Sequence, residues 1–142
     1  MFNRILVPVD LDEENTIGNA VRAASDLAKQ HGAELRLLTV LPVIPASVSL
    51  YMPEDVLSKR VDESKAALAN LAKETDPSLK VTTVVRKGTI YDEVIREAEA
   101  ADCDLIVMTS HRPEMSTYLL GSNAARIVRH SNCSVLVLRP KD

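Results

Sequence analysis

Five short apolar runs recur along the chain: Arg4–Val9 (RILVPV), Leu35–Val40 (LRLLTV), Val81–Val85 (VTTVV), Asp104–Met108 (DLIVM) and Ser134–Leu138 (SVLVL). Three of them are continuously apolar rather than alternating, as strands are when a parallel sheet buries both their faces. Helical spacing fills the gaps. Ile17, Ala20, Val21, Ala24, Leu27 and Ala28 recur at i, i+3, i+4 and i+7, one face of a helix, and Gly32 follows where a helix ends. A second helix is predicted to open with Pro53 as its first residue and to turn Leu57, Val61, Leu68, Leu71 and Ala72 inward, ending before Asp76-Pro77. A third opens at Thr89 with Asp92 as a capping box and buries Val94, Ile95 and Ala98. A fourth starts near Gly121 and buries Ala124, Ala125, Ile127 and Val128.

Strands that alternate with helices of this length make βαβ units, hence an α/β fold with a parallel sheet and right-handed crossovers. At 142 residues the chain is the size of one domain, residues 1–142, and can bury a full core without a disulfide or metal staple. One stretch is irregular. Leu41–Met52 (LPVIPASVSLYM) holds two prolines among many apolar residues. We read it as a loop packed on the domain edge, with a lid over a ligand or partner as the alternative.

Composition narrows the function. Net charge is −3, no Lys/Arg block occurs and aromatic residues are 3% of the chain, so neither the basic footprint nor the stacking platform of a nucleic-acid binder is present. No apolar run approaches the ~18 residues of a membrane span. The N-terminal MFNRILVPVD lacks the pattern of a signal peptide, and the expected location is the cytoplasm, with reduced thiols. Cys103 and Cys133 form no CxxC and read as small buried hydrophobes; His31 and His130 fall at helix ends, where they would meet carbonyls. GxxxxGK[ST], GxGxxG and GxSxG are all absent, and no Ser/His/Asp set can be assembled.

Ligands of open α/β sheets bind beyond the carboxyl ends of the strands, where strand order reverses. Two such ends carry unusual residues. The first strand ends in Pro8-Val9-Asp10. The fourth ends in Thr109-Ser110-His111-Arg112-Pro113, and its loop returns to Gly121-Ser122-Asn123 at a helix start. Free backbone N–H groups at that start, a residue without Cβ, and the Arg112 guanidinium compose a phosphate cradle; an ordinary helix cap is an equal reading of the same spacing. Asp10 would hold a ribose hydroxyl or a metal bound to phosphate, or simply cap the following helix or solvate the strand end.

The opening ILVPVD, the LLTV strand, DLIVMTSH and the closing GSNAARIVRHSNCSVLVLRP are similar to the pattern of the universal stress protein family over essentially the whole chain. The F/G-type bacterial subgroup, with SHRP followed by YLLGSNA, is resembled most, here Ser110–Pro113 and Tyr118–Ala124. The resemblance implies an open five-stranded parallel sheet of order 3-2-1-4-5 with helices on both faces, and a homodimer through the last strand, Val135–Leu138. It also implies an ATP site. Pro8, Val9, Asp10 and Val40 would line the adenosine end. Met108, Thr109, Ser110, His111 and Arg112 would follow the sugar and phosphates. Gly121, Ser122 and Asn123 would hold the phosphate tail, with magnesium carried by the phosphates and Asp10.

The family's GxxG-nine-G[ST] pattern is altered here. Thr109 and Arg112 stand in place of its first two glycines, eight residues separate Arg112 from Gly121, and Gly121-Ser122 survives. The implied function is an ATP-binding stress-response module without strong catalysis. Two alternatives stand beside it. One is a slow ATPase or self-modifying enzyme with Ser110, Ser116 or Ser122 as acceptor. The other is a dimeric interaction scaffold that binds no nucleotide.

Overall fold

The structure, a computed structural model, describes residues 1–12, 14–110 and 121–139, with residues 14–16 described in their backbone. In chain order the elements are β1 (Arg4–Pro8), α1 (Glu14–His31), β2 (Glu34–Leu41), a short α2 (Ala46–Ser49), α3 (Glu54–Lys73), β3 (Val81–Lys87), α4 (Ile90–Ala100), β4 (Leu105–Thr109), α5 (Ser122–His130) and β5 (Ser134–Leu138). The five strands form one parallel sheet of order β3-β2-β1-β4-β5, the order the resemblance implies.

Each face of the sheet is sealed by its own helices. Ile5, Val7, Leu35, Leu37, Leu105 and Val107 pack with Ala20, Ala24 and Ala28 of α1 and Leu68 of α3. Leu6, Leu38, Ile106 and Met108 pack on the opposite face with Val94 and Ala98 of α4 and Ala124 and Ile127 of α5. Alternate residues of one strand thus serve different layers, as the two-residue period of a strand requires. Each fully buried Leu, Ile or Val contributes about 1.5–3 kcal/mol.

Two helix ends close in the same way. After α1, Gly32 takes φ 65° and Ala33 N–H reaches back to Ala28 O at 2.9 Å. After α4, Asp102 takes φ 55° and Cys103 N–H reaches Ala98 O at 2.8 Å. Both are left-handed closures that satisfy a carbonyl of the last turn; the second does so without glycine.

Several local expectations need correction. Pro53 is the N-cap of α3 rather than its first residue. Thr89 caps α4 by position only: its side chain makes no capping bond, and Asp92 pairs instead with Arg96 at 2.7 Å. Ala125 and Val128 of α5 are exposed, because a nine-residue helix beside the edge strand presents only a narrow stripe to the sheet. Among the described residues His31 meets the N-terminus rather than a carbonyl: its Nδ1 lies 3.3 Å from the N-terminal amine and its ring packs edge-on against Phe2. Cys103 is buried as expected, whereas Cys133 is only half-buried. Beyond Leu41, which ends β2, the Leu41–Met52 stretch packs little on the domain edge: α2 buries nothing, and Val43, Leu50 and Tyr51 are 70%, 81% and 88% exposed.

Candidate functional site

Strand order creates the site. From β1 the chain crosses toward β2 and β3; from β4 it crosses the other way, to β5. The two departures diverge between β1 and β4, which is the topological switch point of a doubly wound fold. The strands widen the gap themselves. β1 and β2 pair from Arg4↔Glu34 to Pro8↔Leu38, but β1 and β4 pair only at Ile5↔Leu105 and Leu6↔Ile106. Beyond Leu6 the exit of β1 leans toward β2. Val9 N–H bonds Leu38 O at 2.8 Å, and the buried Thr39 hydroxyl donates to Val9 O at 3.0 Å. On the other side Ser110 N–H bonds Leu138 O at 2.8 Å, drawing the exit of β4 toward β5.

A cleft of about 610 Å³ opens over these ends. Its floor is the carboxyl ends of β1, β2 and β4, one wall is the start of α1 with the middle of α3, and the opposite side carries Asn123 in the first turn of α5. The volume suits a small organic ligand. Its described lining carries three carboxylates, Asp10, Asp12 and Glu63, and one cation, Arg60. Asp10 shapes the turn after β1 by accepting the Asp12 N–H at 3.0 Å, and its side chain is exposed at the rim. Gly121, the N-cap of α5, is extended at φ −60°, ψ 155°. Among the described residues no group of three or more His, Cys, Asp or Glu side chains is arranged to hold a metal ion.

The sequence matches the universal stress protein family over residues 1–139. The chain belongs to that family. It is 39% identical to universal stress protein G of Salmonella typhimurium, over 98% of this chain and all of that one. The solved structure of the protein MJ0577 superposes with a TM-score of 0.84 at 28% identity, covering 100% of this chain and 99% of that one. A universal stress protein solved in complex with cAMP has the same fold, with a TM-score of 0.63 at 22% identity and 97% of each chain covered. No described helix is long and apolar enough to cross a membrane.

In this universal stress protein the cleft brings together seven of the residues named from sequence: Pro8, Val9, Asp10, Val40, Met108, Thr109 and Asn123. Ser110 is buried beside it, and Gly121 and Ser122 flank Asn123 without lining the cleft. His111 and Arg112 lie outside the described residues, as does Ser116.

The α3 wall is absent from the sequence reading. Arg60, Glu63, Ser64 and Ala67 all line the cleft. One signal for it was available. The inward stripe Leu57, Val61, Ser64, Leu68, Leu71 steps by four and three residues, and Ser64 is its single polar member. A buried serine in an otherwise apolar stripe marks where the helix leaves the core and faces a cavity.

Proposed function

We propose that this universal stress protein binds ATP in the switch-point cleft and works as a nucleotide-responsive binding module rather than as a fast enzyme. The observation that carries the proposal is the cleft itself, which runs from the exit of β1 and β2 to the first turn of α5. Adenosine would lie against Pro8, Val9 and Val40, with Asp10 on a ribose hydroxyl. The sugar and phosphates would follow Met108, Thr109, Ser110 and His111. The phosphate tail would meet Gly121, Ser122 and Asn123, where free backbone N–H groups and the positive helix end favour an anion. The described wall is rich in carboxylates, so the tail also calls for Arg112 and for magnesium on its phosphates. The complex that a relative makes with cAMP agrees with a nucleotide as the occupant.

The reading includes cytoplasmic localisation and a homodimer through Val135–Leu138. Among the described residues β5 ends the sheet and pairs with β4 alone, and Leu136 is exposed on it. An uncovered apolar edge strand favours addition of a second strand. Leu136→Lys should then yield a monomer in sedimentation.

Thermal unfolding with and without Mg-ATP tests the nucleotide reading. Ligand at 100 times its Kd stabilises the native state by about 2.7 kcal/mol, a shift of several degrees. An unchanged transition at millimolar ATP, with no nucleotide released on denaturing the purified protein, would leave the dimeric scaffold as the function.

A further inference from the structure

At the opposite end of the sheet from the cleft, two thiols share one small cavity. It has a volume of about 310 Å³ and is lined by both Cys103 and Cys133 together with Ser131. Cys103 lies at the left-handed turn that ends α4, and Cys133 directly precedes β5. Both side chains lie on the α4/α5 face of the sheet, Cys103 within its core cluster and Cys133 packed against it. The parallel register sets Leu105 beside Ser134. Cys133 directly precedes that pairing on β5 and Cys103 lies two residues ahead of it on β4, so the approaches to two neighbouring strands carry the thiols, the placement from which a disulfide, about 4.4–6.8 Å between Cα atoms, can close.

We propose that Cys103 and Cys133 are a peroxide-oxidisable pair that closes an intramolecular disulfide between the end of α4 and the edge strand β5. The roles of the two sulfurs differ by environment. Cys133 is half-buried and therefore open to peroxide, and the Ser131 hydroxyl lies 3.2 Å from its Sγ and 3.4 Å from its carbonyl oxygen. Cys103 is buried, and burial pushes its thiol up to about 11. Cys133 is therefore the attacking group and Cys103 the resolving one.

The Cys133 thiolate attacks one oxygen of hydrogen peroxide. The O–O bond breaks, hydroxide leaves and takes up the proton that Cys133 had lost, and Cys133 becomes a sulfenic acid with one water released. The Cys103 sulfur then attacks that sulfenic sulfur. The S–O bond breaks, the departing hydroxide takes the Cys103 proton, and a second water leaves. In sum, two thiols give up two electrons to one peroxide.

The purified, reduced full-length chain treated with hydrogen peroxide provides the test. The expected product is a monomeric chain lighter by two hydrogens, with a Cys103–Cys133 peptide after non-reducing digestion that dithiothreitol dissolves. Cys103→Ser should stop at a Cys133 sulfenic acid that dimedone traps, and Cys133→Ser should leave Cys103 reduced. Two free thiols after treatment of a chain whose circular dichroism is unchanged would overturn the proposal. So would a bond between Cys133 residues of two chains, or equal oxidation of Cys103 in the Cys133→Ser variant.

Discussion

The hydroxyl of Thr39 donates to the carbonyl of Val9 at 3.0 Å from a buried position. This bond ties the end of β1 to β2 just where β1 has parted from β4, and it holds one lip of the cleft open. Thr39→Val keeps the shape of the side chain but removes the donor, leaving the Val9 carbonyl short of a partner. We expect a loss of about 1–2 kcal/mol in urea unfolding, together with weaker ATP binding by calorimetry.

Gly121 sits in extended backbone that any residue can adopt, so Gly121→Val should keep the fold and cost about 1 kcal/mol for the poorer N-cap. Its branched side chain would stand before the first turn of α5, where the phosphate tail is proposed to approach. ATP affinity should fall at least tenfold by calorimetry. Arg112→Ala should weaken binding as well, and the two variants together separate crowding from loss of charge. Unchanged affinity in both would move the phosphates elsewhere.

Glu97 is 4% exposed and lies 3.5 Å from both Arg36 and Arg86, while Glu93 holds Arg86 at 2.9 Å. Arg36 also donates to Thr82 at 2.9 Å, and among the described residues its buried Nε has no partner. Glu97 therefore bridges two guanidinium groups under α4, with Glu93 as the second counter-charge of Arg86. Glu97→Gln should cost about 3 kcal/mol of stability, read from urea denaturation, because Arg36 then loses its carboxylate.

Two backbone positions should respond with opposite signs. Gly88 has φ 147°, and a Cβ there would lie 2.8 Å from Glu93 Cγ. Gly88→Ala should destabilise by about 1–3 kcal/mol, through strain and by pushing Glu93 off Arg86. Asp102, with φ 55°, occupies the turn position that Gly32 fills after α1. Asp102→Gly should stabilise by up to about 1 kcal/mol. Thermal melts of the two variants on either side of the parent would bear this out.

The bond from Lys29, at 2.8 Å, holds the Asp76 carboxyl well below the usual carboxylate range, helped by the Ser78 N–H. A depressed folded value gives stability that is present above the unfolded carboxyl value, near about pH 4, and lost as pH falls through the folded one. Asp76→Asn should therefore lower stability by a constant amount at neutral pH, and the gap to the parent should close in strong acid. Lys29 is raised by the same partner, so its share persists to high pH and is lost only above the ordinary lysine range. Both groups are solvent-facing, and added salt should shrink the difference. Denaturation series across pH at two salt concentrations would read both effects.

Much of this molecule was legible in its sequence. Continuous apolar runs such as Ile5–Val7 and Leu105–Met108 announce strands buried on both faces, and the α1 stripe announces the helix that covers one of them. Burial is periodic, and period is local. The same logic picked out Pro8–Asp10, Thr109–Pro113 and Gly121–Asn123 at the strand and helix ends where a doubly wound sheet takes its ligand, although residues 111–113 lie outside the described residues. Local reading failed where a competing partner was distant. Asp92 has the spacing of a capping box yet binds Arg96; His31 meets the N-terminus; the apolar side chains of Val43, Leu50 and Tyr51 stay largely exposed.

By itself, then, the sequence determined the alternation of elements, the parallel sheet, the family and the side of the sheet that carries the cleft, since each follows from residues close together in the chain. Only the tertiary structure decided that Arg60 and Ser64 of α3 form a cleft wall, that Glu97 bridges Arg36 and Arg86, that Thr39 pins Val9, and that Cys103 and Cys133 share a cavity. Those pairings join residues far apart along the chain, and they exist only once strand register and helix crossings have set which side chains meet.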